Sequence, residues 1–489
     1  MPSYASARNE TPAQRVVRVF LLLSSVALLA GSIYRATWPF GFDESQSFAS
    51  FNGRPHVLQT ANHHPLNTLL MRWCSELFGR SELSLRLPNV LAHGLYLFSA
   101  LALVRRVRNP APQVLGFVVL NLNLLVIEYF AVARGYGLAL AFQLFSLFLL
   151  LRGFEESAHR RRDLVLSVAA GCLAVASNFA WVYYHVPLLA AAIWLLARED
   201  RASAIGRRRF VLPAVLVTAN AAFLSFILGR LLRLKRDQEL FFGGQDGFIS
   251  DTVRSLVRCS LSATMNQPAV VTTTATILVG SFLLVLLLAA DPRRRKERPT
   301  LGLLVILLIL AIVLPILGHR LLGALLPIER AALFYLPLYA LVLMHALDAF
   351  RAGRDGSARQ AAVLCVTAVA VVAAGWSFFG GLKEHSSCTW WVDTRNYNRE
   401  VVELIQRDRA ARWPTRPVTL RVNWRLEPSL YYYRKTRRYT WLKITAGPTP
   451  NPDYLYVLAA GIGTAGTTTL ASYPDIGMVL LRANHDGGP

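Results

Sequence analysis

Two adjacent carboxylates, Asp43 and Glu44, follow the first long apolar stretch of the chain, in the segment WPFGFDESQSFASF. The same hydrophilic segment continues into NHHPLNTLLMRW, which adds His63 and His64. A carboxylate can take a proton from a hydroxyl, and carboxylates and imidazoles together can hold a divalent cation. Surface carboxylates are ordinarily only solvated, so the chemistry of this segment depends on which other side chains reach it.

Two later segments bring further ionisable groups to the edges of apolar runs. NLLVIEYFAVARGYGLAL contains Glu128, Arg134 and Tyr136, and GHRLLGALLPIERAALFYLPLY contains Arg320 and Arg330. Charged groups at such positions are costly unless they are paired or functional, and an ion pair between Glu128 and Arg134 is the structural alternative. Arginine forks match phosphate oxygens. We therefore predict one site, built from three loops, for a phosphate-activated substrate at a membrane surface.

The elements that must position these side chains are membrane-spanning helices. Apolar residues make up 54% of the 489 residues, above the roughly 45 to 50% of soluble proteins. They cluster in runs that approach or reach the roughly 20 residues needed to cross about 30 Å of hydrocarbon as a helix. Two neighbouring runs, the fifth at 164–181 and the sixth at 182–197, meet at NFAWVYYH, which is barely polar. These two therefore form either a tight hairpin or one re-entrant unit. We predict about 11 spans, at 19–34, 87–104, 114–130, 135–151, 164–181, 182–197, 210–232, 270–290, 301–318, 331–350 and 361–381.

The distribution of charge sets the orientation and argues against nucleic-acid binding. The net charge of +23 is concentrated in alternate loops such as RRVRN, REDRASAIGRRRF and DPRRRKERP. Roughly one residue in three is Lys or Arg in these loops, against about one in nine in the others, which is the asymmetry of cytoplasmic and outer loops. We predict a cytoplasmic N-terminus and an outer C-terminus. A cleaved signal peptide is the alternative for the first span, but no clear small-x-small cleavage site follows it.

Long outer segments lie at 36–82, at 233–269 and after residue 381. The last of these changes composition: YNREVVELIQRDRAAR has helical periodicity, while PVTLRVNW, DYLYVLAA and TTTLASYPDIGMVLLRA resemble strands. We predict a polytopic α-helical membrane domain over 1–381 and a small extracytoplasmic α/β domain over 382–489. GIGTAG in the second domain precedes a poor helix former, so we interpret it as a glycine-rich turn and not as a dinucleotide site.

Taken together and in order, these motifs resemble those of a known family. The motifs are FDES after the first span, HHPLNTLLMRW followed by SELSLRLPNVLA, EYFAVARGYGLAL, and ER before YLPLY at a late span. They resemble the class C, lipid-phosphate-dependent glycosyltransferases, in the branch of protein mannosyltransferases and the aminoarabinose transferase of lipid A. The resemblance is carried chiefly by the first 150 residues.

The resemblance implies roles for residues at matching positions. Asp43 would be the base that deprotonates an acceptor hydroxyl, with Glu44 orienting it or aiding a cation. Glu128 matches the second acidic position of the family. Arg134 and Arg330 match basic positions that would hold the phosphate of a polyprenyl-phosphate or pyrophosphate sugar and stabilise it as a leaving group.

Other side chains at the same level complete the predicted site. Tyr136 and Arg320 join the donor-phosphate group. Many relatives have a PPL string where this chain has HHPL, so His63 and His64 are either metal ligands with Glu128 or polar residues that line the cavity. A divalent cation, Mg, Mn or Zn, is therefore the one cofactor we consider.

We thus predict an inverting membrane glycosyltransferase in a bacterial plasma membrane, with its site on the periplasmic or exterior face. Its partners would be a polyprenyl-phosphate sugar donor, membrane lipids and an acceptor lipid, glycan or protein. The rivals are a transporter or flippase for a lipid-linked or anionic substrate and a non-catalytic lipid-binding scaffold. A transporter of this kind would show inverted repeats and broken helices near mid-membrane, and the sequence shows no repeat of one half in the other.

Overall fold

The structure is a computed structural model that describes residues 11–54, 60–156, 158–202, 211–291, 297–351, 356–382, 397–459 and 466–484. It is mainly helical, with one sheet near the C-terminus. The helices are α1 (Pro12–Arg35), α2 (Phe42–Ser50), α3 (Pro65–Phe78), α4 (Glu82–Val104), α5 (Pro110–Asn121), α6 (Leu124–Phe130), α7 (Gly135–Glu155), α8 (Arg160–Ser177), α9 (Val182–Ala202), α10 (Val211–Arg236), α11 (Arg254–Ser260), α12 (Pro268–Ala290), α13 (Pro299–Leu322), α14 (Tyr335–Arg351), α15 (Gly356–Gly381), α16 (Asn398–Arg412) and α17 (Glu427–Thr436). The strands are β1 (Val418–Val422), β2 (Leu442–Thr445), β3 (Tyr454–Leu458), β4 (Thr467–Tyr473) and β5 (Met478–Ala483).

The helical part is that of a polytopic membrane protein, as predicted. Within the described residues, 8 helices are long and apolar enough to cross a membrane, or 9 if α5 and α6, bent by 60° at their junction, form one span. Every run predicted from the sequence contains one of these elements or a shorter helix. The shorter ones are α8, with 18 residues that begin with RRRD, and α14, with 17 residues. The total of about 11 spans therefore stays a prediction.

The ambiguous fifth and sixth runs are two helices, α8 and α9, that contact each other, and whether they cross the membrane as a hairpin or form one re-entrant unit stays a prediction. Helix α8 ends at Ser177, and α9 begins at Val182 after one turn of 3-10 helix, Phe179–Trp181. The side chain of Asn178 caps this turn by accepting a hydrogen bond of 2.9 Å from the backbone N–H of Ala180. This hydrogen bond stabilises the short turn between the two helices.

The C-terminal domain contains a mixed sheet of five strands in the order β2-β1-β3-β5-β4. Strands β2, β1 and β3 are parallel, whereas β5 runs antiparallel to both β3 and β4. The predicted helix and the strands β1, β3, β4 and β5 are confirmed, but α17 and β2 were not predicted. The domain boundary at 382 stays a prediction, since 383–396 and most of GIGTAG lie outside the described residues.

The C-terminal domain is joined to the membrane domain through one shared apolar core. Phe40, Phe48 and Met71 of the first outer segment are fully buried together with Leu430 and Tyr432 of α17. Burial of apolar surface contributes about 25 cal/mol per Å² to such contacts. The segment that carries Asp43 and Glu44 is therefore packed between two domains.

Candidate active site

Asp43 lies in the first turn of α2 and is 6% exposed. One carboxylate oxygen, Oδ1, accepts a hydrogen bond of 2.6 Å from Nδ2 of Asn62. The other, Oδ2, lies 3.4 Å from Nη2 of Arg134. Arg134 also donates to Oδ1 of Asn62, which closes a triangle of three polar side chains. The carboxylate is thus held in one orientation and paired with a cation.

Arg134 reaches this position because glycines allow the loops around it to approach closely. It precedes α7 and is 1% exposed. A Cβ on the next residue, Gly135, would lie 1.9 Å from the carbonyl oxygen of Ser177, and one on Gly137 would lie 2.4 Å from that of Tyr129. No side chain fits at either distance. The ARGYG sequence is therefore explained by packing as well as by its charge.

Arg330 and Tyr136 belong to the same cluster. Arg330 lies in a 3-10 turn, Glu329–Ala332, and its Nε donates a hydrogen bond of 3.1 Å to the hydroxyl of Tyr136. Its guanidinium also lies over the ring of Phe242, at 4.4 Å from the centroid. Burial lowers the pKa of Arg330, but charge interactions with Tyr136, Tyr129 and Asp43 outweigh it and raise that pKa overall. Arg330 therefore stays a cation close to Asp43.

His63 and His64 border the cluster as neutral side chains. Burial lowers the pKa of His63 to about 4, with smaller effects from the charges of Arg230 and Arg134. Burial and Arg134 also hold the pKa of His64 well below its usual value. Nδ1 of His64 lies 3.1 Å from the carbonyl oxygen of Ser177, so this nitrogen carries the proton. Its ring packs edge-on against Tyr136, which places it in the wall of the cluster.

The three candidate metal ligands do not form a metal site with each other. In the part of the chain that the structure describes, no three His, Cys, Asp or Glu side chains lie close enough together to hold a metal ion. Glu128 is 3% exposed at the end of α6, where it interacts electrostatically with Arg35. Since the geometry does not fit a cation, we derive no chemical step through one.

Glu44 has surroundings of a different kind from those of Asp43. Its carboxylate accepts two hydrogen bonds from Arg86, at 2.7 and 2.6 Å. It also accepts from the backbone N–H groups of Ala133, at 2.6 Å, and Gly41, at 3.0 Å. The remaining donors of Arg86 bind carbonyl oxygens at the end of α1, including that of Trp38 at 2.6 Å. Each oxygen of Glu44 therefore accepts two hydrogen bonds, and its predicted supporting role beside Asp43 stays a prediction.

Arg320 is also placed differently from the prediction. It is exposed near the end of α13 and lines a separate cavity of about 550 Å³ with His319 and Arg254. The side chain of Arg320 thus lines this second cavity, whereas the turn at Glu329 brings Arg330 to Tyr136.

Sequence reasoning missed Asn62 and Arg86. Asn62 directly precedes the HHPL string, and Arg86 lies in SELSLRLPNVLA, which we used only as a motif. An arginine inside an apolar helix is itself a signal, because a buried cation requires a partner. Arg86 is 2% exposed within α4, and that partner is Glu44.

Comparisons with known proteins agree with this architecture. Residues 62–227 match the dolichyl-phosphate-mannose-protein mannosyltransferase family. No curated protein matches the chain at a significant level. The fold is similar to that of ArnT from Cupriavidus metallidurans in the apo state, with 12% identity, a TM-score of 0.52, and coverage of 96% of this chain and 98% of that one. The same ArnT bound to undecaprenyl phosphate matches with 14% identity, a TM-score of 0.52, and coverage of 98% and 100%.

These matches define the class of protein: a polytopic membrane protein with the fold of the class C glycosyltransferases. The predicted resemblance is confirmed. Within that class, the mannosyltransferase match covers about a third of the chain and includes Asn62, His64 and Arg134. Asp43 and Arg330 lie outside the matched range, so their roles depend on the geometry above.

Proposed function

We propose that this protein transfers a sugar from a polyprenyl-phosphate-linked donor to an acceptor hydroxyl on the non-cytoplasmic side of the membrane. The observation that carries the proposal is the buried position of Asp43, 3.4 Å from Arg134 and within the field of Arg330. A carboxylate paired with one arginine and in electrostatic contact with a second combines a base with groups that stabilise a departing phosphate. The class C fold supports the same reaction.

The donor phosphate would bind to Arg134, Arg330 and Tyr136. Arginine forks bind phosphate oxygens with two parallel hydrogen bonds, and the Tyr136 hydroxyl, 3.1 Å from Nε of Arg330, adds a donor. The structure of ArnT from C. metallidurans bound to undecaprenyl phosphate supports a lipid of this kind.

A separate apolar cavity of about 220 Å³ suits the start of the prenyl chain. Its walls come from α11, α12, α13 and α14, and include Val257, Leu278, Leu308 and Leu336. The backbone N–H of Glu329, next to Arg330, donates a hydrogen bond of 2.9 Å to Ser255 of α11. The phosphate-binding turn is thereby attached to one wall of the apolar cavity.

The proposed step is a single displacement. The acceptor hydroxyl oxygen attacks the anomeric carbon of the sugar, and Asp43 takes its proton. The bond between that carbon and the phosphate oxygen breaks, and the electron pair leaves with the polyprenyl phosphate, whose added charge Arg134 and Arg330 stabilise. One displacement inverts the anomeric configuration.

Replacing Asp43 by Asn tests the base directly. Asn keeps the size of the side chain but cannot take the proton, so we expect kcat for transfer from a labelled polyprenyl-phosphate sugar to fall by roughly 10²- to 10⁴-fold. Purified protein in lipid nanodiscs would be assayed for product. Asp475→Asn is the control, because this residue lies in the C-terminal domain and binds Tyr397.

Full activity of the Asp43→Asn protein would refute the base. No turnover of any polyprenyl-phosphate sugar by the unmodified protein would refute the enzyme and favour a transporter or a lipid-binding scaffold. A flippase would instead move the labelled lipid across a vesicle membrane without cleaving it.

A further inference from the structure

Helix α17 of the C-terminal domain packs against α2, the 9-residue helix that carries Asp43 in its first turn. Contacts are made at both ends of α2 and along its middle. The two helices are far apart in the sequence: Arg54, which follows α2, and Glu427, the first residue of α17, are 373 positions apart. This interface belongs to neither the phosphate cluster nor the apolar cavity.

At the N-terminal end of α2, side chains of α17 bind the backbone of Phe40, two positions before α2 begins. The N–H of Phe40 donates a hydrogen bond of 2.9 Å to the hydroxyl of Tyr433. Its carbonyl oxygen accepts one of 2.9 Å from the hydroxyl of Ser429. Both polar groups of this fully buried residue are thus satisfied by side chains of another domain, as a strand partner would satisfy them.

At the C-terminal end of α2, side chains of α17 bind two residues that follow α2. The hydroxyl of Tyr431 donates a hydrogen bond of 2.6 Å to the carbonyl oxygen of Asn52. Arg54 and Glu427 form a bidentate ion pair with hydrogen bonds of 2.8 and 2.6 Å. The geometry of this pair is specific, because both components are planar.

Between these ends, Tyr432 fills the interface. Its ring stacks on that of Phe40, with centroids 4.3 Å apart, and meets Phe48 edge-on at 5.1 Å. Its hydroxyl donates a hydrogen bond of 2.8 Å to the carbonyl oxygen of Arg80, just before α4. One helix therefore connects the start of α2, its end and the segment that leads to Arg86.

We propose that α17 is a positioning element for the transfer reaction, with Tyr433 and Ser429 as its positioning residues. They act through Phe40, which is three positions before Asp43, and fix where the helix and its carboxylate begin. The proposal rests on the proposed function, in which Asp43 is the base. A base must lie within hydrogen-bonding reach of the attacking hydroxyl, so a small displacement of α2 lowers the rate.

The test combines Tyr433→Phe with Ser429→Ala in the full-length protein. We expect kcat to fall by roughly 10- to 100-fold, because a 1 Å misplacement can have an effect of that size. The KM for the donor should change by less than about twofold, since the phosphate cluster is left intact. Tyr454→Phe is the control: its hydroxyl donates to Asp408 within the C-terminal domain, at 2.9 Å, and not to α2 or its flanks.

Hydrogen exchange gives a readout that does not depend on chemistry. We expect faster exchange of the amides of Phe40–Ser47 in the double variant and no change there in Tyr454→Phe. A wild-type kcat in the double variant would overturn the proposal, whether or not exchange is faster. An equal loss of kcat in Tyr454→Phe would also overturn it, because the effect would then be general destabilisation.

The same experiment separates this inference from the proposed function. If Asp43→Asn is fully active, the base assignment fails, and the role of α17 in catalysis fails with it. Exchange at Phe40–Ser47 then still reports whether α17 holds the segment. If Asp43→Asn is inactive and the double variant has normal kcat and exchange, only the inference about α17 is wrong.

Discussion

Asp43 and Glu44 are neighbours in sequence, yet they are surrounded in opposite ways. Asp43 accepts one hydrogen bond from an amide and faces an arginine at 3.4 Å. Glu44 is enclosed by two N–H groups of Arg86 and two backbone N–H groups. A carboxylate that accepts four hydrogen bonds has no lone pair left for a substrate. The two residues should therefore respond differently to the same kind of substitution.

Replacing Glu44 by Gln should destabilise the fold and not only the reaction. The change leaves Arg86, which is 2% exposed, as a buried cation without its partner charge. Breaking a buried pair in this way costs about 3–5 kcal/mol. We expect a lower midpoint of thermal unfolding in detergent and a lower yield of folded protein. Glu76→Gln is the control, since Glu76 pairs with Arg72 on the surface and should change stability by about 1 kcal/mol or less. Equal midpoints in the two variants would contradict this.

His63 gives a pH dependence of stability. Burial, with Arg230 and Arg134, lowers its folded-state pKa to about 4, below the unfolded value of about 6.5. Between these values the unfolded state binds more protons than the folded state. The contribution of neutral His63 to the free energy of unfolding is therefore fully present above about pH 6.5 and is lost as the pH falls toward 4. We expect His63→Gln to flatten this loss, measured as unfolding midpoints at pH 7 and pH 4.5. An unchanged pH dependence would show that His63 is not buried as a neutral ring.

At the residue level, the sequence could predict which side chains meet, but not what each one does. The predicted spans put four side chains at one membrane depth: Asp43, Arg134, Tyr136 and Arg330. In the structure, Arg134 lies 3.4 Å from Asp43, and Arg330 hydrogen-bonds to Tyr136 and interacts electrostatically with Asp43. The division between Asp43 and Glu44 depends on Arg86, whose direction inside α4 is set by packing. Side-chain direction at a helix end likewise decides the different location of Arg320.

At the level of elements, helix α3 has an apolar surface that no other part of the described structure covers. Leu69, Trp73 and Leu77 recur at intervals of four and are 43%, 52% and 74% exposed, while Met71 on the other side is buried. A short helix with one apolar face, next to membrane spans, is typical of a helix that lies at the membrane interface. Its start adjoins His64, so it joins the interface to the wall of the site.

We expect Trp73 to contact lipid. In nanodiscs, lipids brominated near the headgroup end of the chain should quench its fluorescence, which is obtained as the difference between the protein and Trp73→Phe. Trp424, which is 58% exposed in the C-terminal domain, serves as the comparison and should be quenched by aqueous iodide instead. Iodide quenching of Trp73 to the same degree would mean that α3 faces water.

Helix α17 and strand β2 could not be predicted from the sequence, for a common reason. Helix α17 reads EPSLYYYRKT, and its three tyrosines favour strands. Pro428 in the first helical turn and burial of the tyrosines against the first outer segment make it a helix instead. Strand β2, with only 4 residues, is specified by its pairing with β1. Long apolar helices carry their pattern in their own residues, whereas these two depend on distant partners.

For the whole molecule, the remaining prediction is orientation. The asymmetry of basic residues places the loop before α8 in the cytoplasm and the C-terminal sheet outside. In a background without the free cysteines Cys74, Cys172 and Cys365, His159→Cys and Thr469→Cys each create an exposed thiol, one on either side of the predicted topology. A membrane-impermeant maleimide added to intact cells should label the cysteine at 469 and not the one at 159. The reverse pattern would invert the topology and move Asp43 to the cytoplasm.

The positions of Tyr433 and Ser429 in the sequence bear on when the segment before α2 becomes fixed during synthesis. These residues lie 393 and 389 positions downstream of Phe40, close to the end of the chain. During synthesis, α1 and the first outer segment emerge and insert long before α17 exists, and contacts between such distant residues form last. If Asp43 is the base, a partly made chain would hold Arg134 and Arg330 before the position of that base is fixed. The segment that carries Asp43 is thus made early but reaches its final position only after α17 has been made and has folded.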